Sequence, residues 1–154
     1  MPIQPLLERL RRPPAAAPSA LPFPRRELAV AALLVEAAQV DRRVTAAERA
    51  TVARLVRARF ALPEAEAQRL LEIAGGEFAA ALDDWVFTQA VREGFPAEER
   101  EAILEMIWAV VYADGELARF EDLFMLRMAA ALGLEDAAAD RARVRAYARS
   151  EGGA

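Results

Sequence analysis

Displaced by 73 residues, the chain lies over itself: Leu34–Leu62 falls on Ile107–Glu135, with Asp41 on Asp114, Glu48 on Glu121 and Arg54 on Arg127. The apolar anchors match as well, Val44 with Leu117 and Val52 with Met125. Each copy reads as an apolar helix, an Asp at its end, a short loop, an apolar anchor, and a Glu in the first turn of the next helix. One such helix–loop–helix unit cannot cover its own apolar face. Two copies can cover each other, so the repeat predicts two pseudo-symmetric helical hairpins packed about a pseudo-two-fold, with the other helices around them.

The rest of the pattern is helical too, and the expected class is an all-α bundle of about seven helices. Residues 26–40 are apolar nearly all round and predict the central, most buried helix. Thr45 opens the second, with Val52, Leu55, Val56 and Phe60 on one face. Pro63 and Pro96 each sit at a helix start followed by two Glu, where proline fits and acids meet the positive end of the helix. Gly75 and Gly76 are expected to end the third helix. Trp85–Arg92 is the fourth, residues 96–113 the fifth, a sixth stops at Gly133, and a polar seventh covers residues 136–149. No segment alternates as a strand would. Trp85, Phe87, Trp108 and Tyr112 read as core. Arg54, Arg57 and Arg59 read as a solvated face, with a patch for an acidic partner as the second reading.

Seven of the nine prolines precede residue 25. Residues 1–24 therefore read as an arm and a Pro/Ala-rich linker, 25–149 as the helical domain and 150–154 as a disordered tail. In the arm, Ile3, Leu6, Leu7 and Leu10 recur at helical spacing among Arg9, Arg11 and Arg12. Two readings stand: a loosely docked turn, or an arm for a partner or membrane surface.

Composition removes most chemistry. The chain has no Cys, His or Lys, which excludes thiol nucleophiles, histidine bases, zinc fingers, haem and iron–sulfur ligation, Schiff bases and the phosphate-binding lysine. Its serines are Ser19 and Ser150, both in the expected tails. An enzyme is not expected. Carboxylates are left, and they suit hard cations such as Ca2+ or Mg2+. The net charge of −4 makes no basic field for nucleic acid. No apolar stretch approaches the roughly 20 residues that span a bilayer. With no disulfides and no signal peptide, a cytoplasmic location is expected.

The run Leu33–Asp41 followed by Glu48-Arg49 resembles the first half of the TerB (tellurite-resistance) family. So do Phe87-Thr88 with Glu99-Arg100, and most of all Ile107–Leu117, which contains Asp114-Gly115-Glu116, with Glu121 and Arg127. The resemblance covers about residues 26–135. It implies an all-α fold related to the N-terminal domain of DjlA-type co-chaperones. It also implies a non-catalytic module of tellurite and chemical-stress response, working with protein partners, some membrane-associated, and placed in the cytoplasm or peripheral to the inner membrane. Divalent-cation binding by the acidic residues is part of what it implies. Where the family has Asp-Gly, the first unit here has Asp41-Arg42. Arg42 must take strain or another loop if Gly115 supplies a left-handed turn.

The acidic residues carry two readings. Asp41 and Asp114 each face the negative end of a helix, which costs about 0.3–1 kcal/mol uncompensated. A cation held with Glu48 and Glu121 would compensate. So would an Asx-type turn onto the amides that open the next helix. Thr45-x-x-Glu48 is a capping box, which accounts for Glu48 without a ligand. Glu121 has Ala118 in the equivalent place and lacks that account. The metal candidates are Asp114, Glu116 and Glu121 first, then Asp41 and Glu48. The competing reading is a structural helical adaptor that binds protein and no metal.

Overall fold

The computed structural model describes residues 23–39, 46–113 and 119–152. Among them are seven α-helices and no strand: α1 Arg25–Ala38, α2 Ala46–Phe60, α3 Glu64–Ala80, α4 Trp85–Gly94, α5 Ala97–Tyr112, α6 Arg119–Ala131 and α7 Asp136–Gly152. The chain is all-α, as the pattern predicts. α7 runs on past Arg149, where its polar pattern was expected to stop.

Two helices share the centre. α1 packs against α2, α3, α4 and α5, and residues Val30–Leu34 are wholly buried. α5 is the second: Ile103–Trp108 are all buried, and this helix packs against α1, α2, α6 and α7. Positions paired by the repeat have like surroundings, Leu34 with Ile107, Val52 with Met125 and Val56 with Ala129 all being buried. Fully burying a Leu or Ile side chain stabilises by about 1.5–3 kcal/mol, so this apolar centre carries the fold.

α1 and α4 run antiparallel. At one end Arg26 Nη1 donates to the Gly94 carbonyl at 2.9 Å, and a Cβ on Gly94 would lie 2.9 Å from the Arg26 Cβ. At the other end Glu36 meets Asp84. α7 docks on α5 through small side chains, with Ala142 and Ala146 buried. Ion pairs border that seam. Glu101 takes Arg141 at 2.9 Å and Arg145 at 2.6 Å, and Glu105 takes Arg145 and Arg149 at 2.7 Å each.

Gly75 and Gly76 do not end α3. They lie inside it, and a Cβ at either would meet nothing within 4 Å. The helix continues because Phe78 packs on Phe87, with ring centroids 6.5 Å apart. The packing of half-buried Phe78 works against the roughly 1 kcal/mol that each helical glycine costs. Trp85 is not core. It is 65% exposed, at the first turn of α4, where its amide N–H donates to Asp83 Oδ1 at 2.9 Å. Phe87 and Trp108 are buried and Tyr112 is half-buried.

The second helix of each unit ends in the same way. Leu134 N–H donates to Ala129 O and Gly133 N–H to Ala130 O, both at 3.0 Å, with Gly133 left-handed at φ 72°. At the end of α2, Leu62 N–H donates to Arg57 O at 3.1 Å, and Ala61 takes the left-handed place at φ 52°. Arg100, from α5, closes the α6 terminus by donating to Leu132 O at 2.6 Å and Gly133 O at 3.3 Å. A side chain in the left-handed region costs about 1 kcal/mol or more. Ala61→Gly should therefore raise the unfolding free energy by about 1 kcal/mol. Gly133→Ala should lower it by at least as much, since its Cβ would also lie 2.7 Å from Arg100 Nη1. Urea melts of the two variants should move in opposite directions.

Candidate functional site

Of the acidic residues singled out by sequence, Asp41, Asp114 and Glu116 lie outside the described residues, and Glu121 falls in the first turn of α6, where only the backbone is described. Glu48 is placed. It sits in the first turn of α2 and is 3% exposed, so its carboxylate is taken into the fold just after the first acidic loop. Among the described residues no group of three or more acidic side chains is gathered so as to hold a metal ion.

The structure builds a different acidic centre. Glu36 lies on α1 facing Asp84, the residue before α4, and Arg127 of α6 comes to 3.9 Å from both carboxylates. The Glu36 side chain is 15% exposed, and its Oε1 is enclosed and accepts no hydrogen bond among the described residues. An ionised oxygen in that position has lost its water and gained no donor. Burial first, then the hydrogen bond with Asp84 and the charge of Asp84, push the Glu36 carboxyl up to about 8, against the pull of Arg127. Near neutral pH Glu36 therefore carries a proton. At 65% exposed, Arg127 is too well solvated to hold the enclosed Glu36 ionised.

By its sequence context Glu36 is open between an exposed stripe and burial beside an arginine or the acidic loops; the structure gives burial beside Arg127 and Asp84. Asp84 carried no signal in the sequence, because its part comes from the antiparallel pairing of α1 with α4. Thr88, matched by the family pattern, is buried and donates to the Trp85 carbonyl at 3.1 Å, so it tightens the turn that carries Asp84. Of the expected solvated face, Arg54 and Arg57 are exposed. Arg59 is drawn in over the Phe95 ring at 5.9 Å and to Glu99 at 3.8 Å.

The fold and these positions can be set against known proteins. The family model described as "Tellurite resistance protein TerB" matches residues 27–144, most of the chain and all but the two ends of the helical domain. The chain belongs to the TerB family. Searches of curated proteins and of solved structures give no match. Arg127 and Glu36 both fall within the matched residues, so the buried acid lies in the body of the TerB domain. Two of the described helices, α1 and α6, bring that pair together from the two halves of the repeat.

The raised Glu36 fixes a pH dependence. Between its ordinary value of 4.5 and about 8, the folded chain holds a proton that the unfolded chain has released. Stability from this group is full below the lower value and is lost as pH rises through the upper one. Wild-type protein should thus melt lower at pH 9 than at pH 6. Glu36→Gln, which keeps the neutral shape, should flatten that decline; an unchanged pH slope in the variant would show that Glu36 is ionised throughout.

Proposed function

We propose that this TerB domain is a non-catalytic binding module of tellurite and chemical-stress response that holds a divalent cation at its second acidic loop. The chain's lack of His, Cys and Lys supports a binding role over a catalytic one. The donors are Asp114, Glu116 and Glu121, with Asp41 and Glu48 from the first unit. They are all carboxylates, a set that suits Ca2+ or Mg2+. The observation that carries the reading is the burial of Glu48. A TerB acid that follows its loop by one turn is built into the core, so a ligand on such a loop would be coupled directly to the fold. The module would act with protein partners, at the membrane surface or in the cytoplasm; no helix among the described residues is long and apolar enough to cross a membrane.

One observation favours a second reading, a structural adaptor without metal. Leu82 and Trp85 flank Asp84 and are 105% and 65% exposed, and Leu123 and Leu126, beside Arg127 on α6, are 65% and 68% exposed. Large exposed apolar side chains so grouped suit contact with protein.

Thermal unfolding with Ca2+, Mg2+, Mn2+ or chelator separates the two. An ion present at 100 times its dissociation constant should add about 2.7 kcal/mol of stability. Asp114→Asn should remove that gain while Asp41→Asn removes less. If no ion moves the midpoint of the wild type, the cation reading fails and the adaptor reading stands.

A further inference from the structure

The repeat pairs more than loops. In one half, Arg127 of the second unit reaches across to Glu36 of the first. Displaced by the repeat, Glu36 falls on Ala109, and Arg127 falls on Arg54. Both of these line one cleft of about 780 Å³ between α2, α5 and α7. The cross-unit pair is thus complete on one side of the molecule. On the other side the arginine is kept and the carboxylate has been replaced by a methyl group.

Arg54 is exposed and makes no ion pair or side-chain hydrogen bond among the described residues. Arg59, on the same cleft, has its Nε–H enclosed with no acceptor among the described residues. An enclosed guanidinium donor without a partner costs free energy that an incoming acceptor would return. Arg149 stands at the rim. Glu105 is the only acid lining the cleft among the described residues, and both of its oxygens are already held, by Arg145 and Arg149. The wall between the arginines is apolar, with Leu55, Met106 and Ala109. A volume of this size fits a small organic ligand.

We propose that this cleft is a binding site for a small organic carboxylate with an apolar body, the carboxylate taking on Arg54 the place that Glu36 takes on Arg127. The planar guanidinium favours a carboxylate held by two parallel bonds. The apolar body lies on Leu55, Met106 and Ala109. The proposed ligand is held by arginine and apolar side chains, so its test needs no metal.

The probe is decanoate, titrated into 15N-labelled full-length protein and followed by amide shifts in α2, α5 and α7, with decanol and acetate as controls. Saturable shifts are expected with decanoate, and much weaker binding with either control. Arg54→Gln, at an exposed position, should keep the fold and weaken decanoate about ten- to hundredfold, as loss of a charged hydrogen-bond partner does. Ala109→Glu rebuilds the missing internal carboxylate and should abolish binding. If decanoate fails to saturate, if Arg54→Gln binds it as wild type does, or if decanol or acetate binds as tightly, the proposal is overturned. Should Ala109→Glu not fold, the Arg54→Gln comparison decides alone.

Discussion

Everything in this domain leans on the contact between α1 and α5. Each is the apolar first helix of one repeat unit, and neither has a face polar enough to stand in water. Val30–Leu34 and Ile103–Trp108 are buried in the two helices. Truncating one such Leu or Ile to Ala typically costs about 2–5 kcal/mol, a large share of a domain's total stability. The remaining helices are arranged by what this pair leaves uncovered: α3 and α4 close over α1, α6 and α7 over α5, and α2 touches both.

Around that shared centre the two halves differ in charge. Glu36 sits with its side chain largely enclosed, beside a second acid, and is held as the neutral form by its surroundings. The matching position, Ala109, is apolar and opens onto a cleft rimmed by arginines. The α5–α7 seam carries the opposite solution, with Glu101 and Glu105 each held by two arginines. There the Glu101 carboxyl is held below its ordinary range, first by the hydrogen bond from Arg141 and then by that from Arg145. The same residue type is thus kept neutral in one place and ionised in another, and the difference is whether a donor is within reach.

Much of this was legible in the sequence. Helical periodicity and prolines at helix starts placed the seven helices of the described residues, and the resemblance of the Ile107–Leu117 run pointed to the family. The misreadings have physical causes. Gly75-Gly76 looked like a stop because local propensity was weighed without Phe78, whose ring finds Phe87 on another helix. Trp85 looked like core because size favours burial, but the turn in which Asp83 accepts from its amide places it at the exposed start of α4. The acid at Glu36 was visible and its partners were not. Asp84 lies far along the chain and comes into range only through the antiparallel α1–α4 pairing. Arg59 was assigned to a solvated face because nothing in α2 reveals the Phe95 ring beneath it. The acidic loops themselves, residues 40–45 and 114–118, lie outside the described residues, so the family's most specific motif is known here by sequence alone.

The central claim is that α1 and α5 form one cooperative core shared by both repeat units. Native-state hydrogen exchange tests it most directly. The amides of residues 31–34 and 104–107 should be the slowest in the protein, exchange with the same free energy, and open only with global unfolding at the same denaturant dependence. If the two sets open at different free energies, with one half of the repeat unfolding while the other stays closed, the halves are separate bundles and this account of the fold is wrong.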